Sequence, residues 1–173
     1  MTAQPQRRLV VVIGPIAAGK STLASELAGL LRGAGESVAI VGLDTVAEMA
    51  LPTLDDWTWA HDIHGQLVAA WLATPLTMVI AEGPETPAEV DLLMSHVPSD
   101  VSVFRVLLVA RYETARQRTA ADPSRGISRD PDFLAAMYRR FTDELPGLSY
   151  DLQLRGEDAS ASALAERVVA ALP

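Results

Sequence analysis

The 173-residue sequence has no cysteine, no asparagine and a single lysine, Lys20; its thirteen other basic residues are arginines. Without cysteine, disulfides, zinc–thiolate centres and thiol catalysis are excluded. Without asparagine, the guanine-reading Asn-Lys-x-Asp element of GTPases is excluded too, and no hydrophobic run ends in the Asp-x-x-Gly of a GTPase switch. No apolar run is long enough to span a bilayer. Positive charge is scarce: the formal net charge is −8, which argues against nucleic acid as a main partner. Arginine is missing altogether from 46–71, which counts against an acceptor bearing a phosphate in that region.

What remains is an ordinary globular composition, 49% hydrophobic and 21% charged, with length enough for one full core. We expect a single domain over 1–173. The stretch Arg7-Arg8 leads into Leu9-Val10-Val11-Val12-Ile13, a continuous β-branched run that reads as a buried parallel strand.

Directly after that run stands Gly14-Pro15-Ile16-Ala17-Ala18-Gly19-Lys20-Ser21, which meets the phosphate-loop pattern G-x-x-x-x-G-K-[ST] at every fixed position. Cleaving the hydrophobic run as a secretory leader would destroy this motif, so a cytoplasmic protein is expected. Leu23, Leu27, Leu30 and Leu31 then recur at helical spacing over 22–31, so the loop has its strand–loop–helix context. Gly14 and Gly19 let the loop curl until successive N–H groups converge on phosphate oxygens. The helix adds the positive end of its dipole. Gly14, Ala17, Ala18, Gly19, Lys20, Ser21 and Thr22 are thus the candidate nucleotide-binding residues. Lys20 would reach the β- and γ-phosphates, and the Ser21 hydroxyl would ligate Mg²⁺. A compositional bias toward arginine accounts for the rarity of lysine and makes the surviving one more informative.

Two further strands end in carboxylates. The run 37–42 ends at Leu43-Asp44-Thr45, and 77–81 ends at Glu82-Gly83-Pro84. In open α/β sheets ligands bind at such ends. Asp44 has two readings: a base that takes the proton of an attacking hydroxyl, or a cap on a helix starting near Thr45. Glu82 either serves Mg²⁺ through water or binds a substrate hydroxyl. A helix from about Asp55-Asp56 to Ala73 has Ile63, Leu67 and Trp71 at four-residue spacing as its expected buried stripe. Trp57, Trp59, His61 and His64 fall on its first turns. Trp57 and His61 are candidate walls of a substrate pocket; a metal site on the histidines lacks further ligands.

Next come a helix over 86–97, a strand over 101–110 and a helix opened by Arg111-Tyr112-Glu113 that carries Arg116 and Arg118. The segment 122–131 is polar, broken by Pro and Gly, and holds Arg125 and Arg129. It reads either as a solvated loop or as a mobile lid whose arginines close on a transferring phosphoryl group. A helix over 132–143 with Phe133, Met137 and Phe141 inward, a weak strand at 150–154 and a closing helix over 161–172 complete the chain.

The strand–helix alternation, the loop after the first strand and the arginine-bearing segment before the last strand resemble the nucleoside monophosphate kinase-like P-loop fold. Ala17-Ala18-Gly19-Lys20-Ser21 and Gly42-Leu43-Asp44-Thr45-Val46-Ala47-Glu48-Met49 are most similar to the chloramphenicol phosphotransferase and zeta-toxin branch, which lies near the shikimate kinases. The resemblance implies a three-layer α/β/α fold, a five-stranded parallel sheet in order 2-3-1-4-5, and ATP-dependent, Mg²⁺-dependent phosphorylation of a small-molecule hydroxyl. It implies Asp44 as general base, Lys20, Arg125 and Arg129 on the transferring group, and Arg116 near the adenine. Glu82-Gly83 departs from the aspartate pair of chloramphenicol phosphotransferase, so that substrate is not carried over. A monomer or weak homodimer acting without nucleic acid or membrane is expected. A regulatory nucleotide-binding ATPase without a small-molecule acceptor is the alternative.

Overall fold

The structure is a computed structural model that describes residues 7–52 and 54–173. The first six residues and Thr53 lie outside it.

Five parallel strands form one sheet: β1 (Arg8–Ile13), β2 (Val38–Gly42), β3 (Met78–Glu82), β4 (Ser102–Val109) and β5 (Leu152–Arg155). Their spatial order is β2-β3-β1-β4-β5, the order the family resemblance implies. The helices are α1 (Lys20–Gly33), α2 (Leu43–Glu48), α3 (Thr58–Leu72), α4 (Pro87–His96), α5 (Tyr112–Ala121), α6 (Pro131–Glu144) and α7 (Ala161–Ala171). A parallel sheet needs cover on both faces, and the alternation along β1 shows how it is shared. Val10 and Val12 pack with Leu23 and Leu27 of α1 and Leu164 and Val168 of α7. Leu9, Val11 and Ile13 pack with Val68 and Leu72 of α3, Leu93 of α4 and Phe141 of α6. None of the β1 residues from Leu9 to Ile13 is exposed. At about 1.5–3 kcal/mol for each large apolar side chain buried, this strand is an anchor for everything attached to it.

Strand register brings the ends together. Gly42 lies opposite Glu82 across the β2–β3 pair, and Glu82 lies opposite Val12 across the β1–β3 pair. The chain therefore leaves β1, β2 and β3 at one level, placing the phosphate loop, the start of α2 and the β3–α4 turn side by side.

Two helix faces differ from expectation. On α3 the buried residues are Ala60, His64, Gly65, Val68 and Leu72; of the expected stripe, Leu67 is partly buried against the core while Ile63 and Trp71 are exposed. The buried stripe keeps the four-residue spacing but starts one position later. Close packing decides between the two faces: a Cβ at Gly65 would collide with the His96 ring of α4. A face carrying Ile63 and Trp71 has no place at that approach. On α6 the buried residues are Leu134, Tyr138 and Phe141, with Phe133 and Met137 partly covered. Tyr138 turns inward because its hydroxyl has a partner there, the Ile16 carbonyl at 3.0 Å.

The segment 122–131 is a 3-10 stretch (Pro123–Arg129) interrupted at Gly126, whose φ is 54°. Asp130 ends it and caps α6 through the backbone N–H groups of Asp132 and Phe133, each at 2.9 Å. Among the described residues, no helix is long and apolar enough to cross a membrane.

Candidate active site

The phosphate loop joins β1 to α1 and is shaped by its neighbours. A Cβ on Gly14 would run into the Leu108 carbonyl oxygen. Gly19, at φ 103°, sits in the left-handed region at the head of α1, and Ala17 at φ 59° shares that region despite its side chain. Arg118 of α5 offsets this strain: its guanidinium donates to the carbonyls of Ala17 at 2.9 Å and Ala18 at 3.0 Å. Tyr138 holds the Ile16 carbonyl in the same way. A loop whose carbonyls are tied on one side presents its N–H groups on the other, as an anion cradle requires.

Lys20 lies back across the loop. Its ammonium donates to the carbonyls of Gly14 at 2.6 Å and Pro15 at 3.0 Å. It also faces the Glu85 carboxylate at 3.5 Å, with the side chains only 11% and 15% exposed. The Ser21 hydroxyl donates to Glu82 Oε1 at 3.1 Å. Glu82 is buried in the gap that Gly42 leaves: a Cβ there would stand 2.7 Å from the same oxygen. Burial raises the carboxyl pKa of Glu82, opposed by Lys20 and reinforced by Asp44. Burial likewise raises that of Glu85, again opposed by Lys20, with Glu89 and Asp44 reinforcing. Both carboxylates thus feel Asp44 across the ends of β2 and β3.

Asp44 is exposed in the first turn of α2. The helix starts at Leu43 with Gly42 as N-cap and no side-chain cap, so Asp44 lies inside the helix and does not cap it. Its carboxylate is free for other work. His64 is fully buried on α3, with Nε2 at 2.9 Å from the Val41 carbonyl. A carbonyl only accepts, so Nε2 carries the proton. Burial lowers its pKa and keeps the ring neutral. His61 lies 3.8 Å from Glu89, and burial lowers its pKa as well. The two histidines therefore serve separate neighbours, and the described residues hold no group of three or more His, Cys, Asp or Glu placed for a metal ion. Trp57 is exposed just before α3, and Trp59 packs on the α2–α3 cluster with its indole N–H buried and unpartnered.

Beside the loop lies a cavity of about 400 Å³ lined by Ala18, Gly19, Thr22, Arg118, Arg125 and Ser160, among others. Arg125 is held at its rim by Asp122 at 3.2 Å, and its charge reaches Glu82. Arg129 is exposed at the far end of the same stretch and does not line this cavity. Arg116 is exposed on α5; Arg118, two residues on, is the arginine of that helix that reaches the loop. The sequence alone places Arg118 on its helix without giving it a role, and it does not single out Glu85 or Tyr138. Only the capping box of α4 is available as a signal near Glu85: Glu89 accepts from the N–H groups of Glu85 and Thr86 at 2.7 and 3.2 Å.

No protein-family model matches the sequence, and no curated protein matches it. Solved structures do match by shape. The APS kinase of Mycobacterium tuberculosis, solved with AMPPNP and APS, superposes with a TM-score of 0.66 at 16% identity, covering 96% of this chain and 98% of that one. The shikimate kinase of Acinetobacter baumannii, solved with shikimate, gives 0.61 at 18% identity, over 96% and 93%. The tunicamycin resistance protein of Deinococcus radiodurans gives 0.66 at 14% identity, over 95% of each chain. The chain therefore shares the fold of these proteins, a P-loop α/β/α fold with a five-stranded parallel sheet in order 2-3-1-4-5.

Proposed function

We propose that the chain is an ATP- and Mg²⁺-dependent phosphotransferase that phosphorylates a hydroxyl of a small molecule, such as an antibiotic-like alcohol, a nucleoside, a sugar or a cyclitol. One observation carries this reading: the phosphate loop with Lys20 and Ser21 stands against Glu82, with Asp44 one strand end away. A regulatory switch has no need of a free carboxylate at that place. The fold shared with small-molecule kinases supports the reading.

The loop N–H groups and Lys20 bind the β- and γ-phosphates, and the nucleoside occupies the cavity beside Arg118. The donor set of Ser21 and Glu82, a hydroxyl against a buried carboxylate, suits a hard cation. Ser21 and Glu82 would hold Mg²⁺ there, and it would supply charge neutralisation to the phosphates. Asp44 takes the proton of the acceptor hydroxyl as its oxygen attacks the γ-phosphorus. The bond to the β-phosphate oxygen breaks and ADP leaves. Arg125, with Arg129 if the 122–131 segment closes as a lid, meets the charge on the transferring group. Glu82, Trp57 and His61 wall the acceptor side.

Transfer of labelled phosphate from ATP to an acceptor panel tests this. Lys20→Ala is expected to cut transfer by roughly 10²–10⁴. ATP bound tightly with no acceptor-dependent transfer would favour a regulatory nucleotide binder instead.

A further inference from the structure

Glu85 has a single cationic partner among the described residues, Lys20 at 3.5 Å. On the kinase reading, that partner leaves: the loop lysine moves to the β- and γ-phosphates when ATP binds. Nothing nearby replaces it. The other charged groups that act on Glu85, apart from Lys20, are carboxylates, with Glu89 and Asp44 both opposing its ionisation. Arg140 of α6 is already engaged by Glu144 at 3.0 Å and Glu89 at 3.5 Å. The sequence from 33 to 104, which builds α2, α3, β3 and α4, contains no lysine or arginine. His61 and His64 on that wall are kept neutral by burial.

We infer that Glu85 binds a cationic group of the acceptor, a protonated amine beside the hydroxyl to be phosphorylated, and that nucleotide binding uncovers this site by drawing Lys20 away. The inference rests on the kinase reading and narrows its substrate class to amino alcohols, which include amino sugars and aminocyclitols. The physical driver is the cost of a largely buried carboxylate that has lost its counter-charge. An ammonium group restores the pair. A neutral alcohol leaves Glu85 uncompensated, and an anionic acceptor adds repulsion from Asp44 and Glu89. Nucleotide and acceptor binding are then positively coupled, because each removes a reason for Lys20 to stay on Glu85.

The test uses matched probes on the whole chain loaded with Mg²⁺ and AMPPNP: glucosamine against glucose, and streptamine against scyllo-inositol. Titration calorimetry reads their affinity in wild type, Glu85→Gln and Glu85→Asp, with thermal melts confirming that each variant is folded. The expected result is that an ammonium member binds at least ~10-fold tighter than its neutral partner. The preference is lost in Glu85→Gln, kept in part by Glu85→Asp, and weakened without nucleotide. Equal affinity for both members of each pair, binding of neither, or a preference that survives Glu85→Gln would overturn it. Acceptor-dependent phosphate transfer is read separately. Transfer to neutral alcohols without any ammonium preference removes this inference and leaves the kinase; absence of transfer to every acceptor removes the kinase.

Discussion

The hydroxyl of Ser21 and the carboxylate of Glu82 meet at 3.1 Å, joining the first turn of α1 to the last residue of β3. The contact exists because Gly42 leaves room for the carboxylate. It also carries a cost, since burial holds the Glu82 pKa above its ordinary value. A carboxyl whose folded pKa is raised contributes stability below its unfolded pKa and loses it as pH rises through the folded one. Burial of the Glu82 carboxylate therefore weakens the nucleotide-free fold increasingly as pH rises. Glu82→Gln is expected to raise the melting temperature at pH 7.5, by ~2–4 °C for each kcal/mol relieved. The same variant should lower phosphate transfer and raise the Mg²⁺ concentration needed for half-maximal rate. Melting curves and a Mg²⁺ titration check both halves.

Arg118 and Arg116 are two residues apart on α5 and have different surroundings. Arg118→Ala removes the bonds to Ala17 and Ala18 that hold the loop carbonyls. Charge-assisted bonds of this kind contribute about 1.5–3 kcal/mol each. AMPPNP affinity should fall at least ~10-fold. Arg116→Ala, at an exposed position, should change it less than ~3-fold. Calorimetric titration separates the two.

The inward face of α3 makes a third prediction. Leu72→Ala should cost about 2–5 kcal/mol of stability. Trp71→Ala, 44% exposed before truncation, should cost no more than ~1 kcal/mol. Gly65→Ala should cost ~1–3 kcal/mol through its collision with His96. Urea unfolding at constant slope reads all of them.

These faces also show where the sequence is informative. The phosphate loop and the carboxylates at the ends of β2 and β3 are legible because backbone rules fix them, through glycine spacing and β-branched runs; the strand order follows from the resemblance to the nucleoside monophosphate kinase-like fold and not from any residue pattern. The α3 stripe is not. Ile63, Leu67, Trp71 and Ala60, His64, Val68, Leu72 share the same spacing, and only the approach of α4 at Gly65 chooses between them. Side-chain bulk favours a face of which Ile63 and Trp71 are in fact exposed, and His64, which the sequence leaves outside the stripe, has the Val41 carbonyl as its partner. The Lys20–Glu85 pair is equally hidden, since sequence gives no sign that a turn residue of one loop faces the lysine of another.

His64 gives the fold a pH signature. Its folded pKa is depressed, chiefly by burial, while an unfolded histidine titrates near 6.5. The unfolded chain then binds more protons below that value, so this contribution is fully present above pH 6.5 and lost as pH falls. His61 adds in the same direction. The histidine contribution should decline between pH 7 and 5, against the opposite trend from Glu82 and Glu85, and His64→Gln should remove its share of that slope while lowering stability at pH 7. Denaturant midpoints at stepped pH give the slope.

Phosphate transfer from ATP labelled in its γ-phosphate, compared between wild type and Asp44→Asn across the acceptor panel, tests the kinase reading where it is most exposed. Asp44 is exposed in the first turn of α2 and caps nothing, so the asparagine variant should fold and bind AMPPNP as wild type does. A labelled product formed by wild type and reduced at least ~10²-fold in the variant is the predicted result. Equal transfer by both proteins would contradict Asp44 as the base, and no transfer by either, with AMPPNP bound, would contradict the kinase itself.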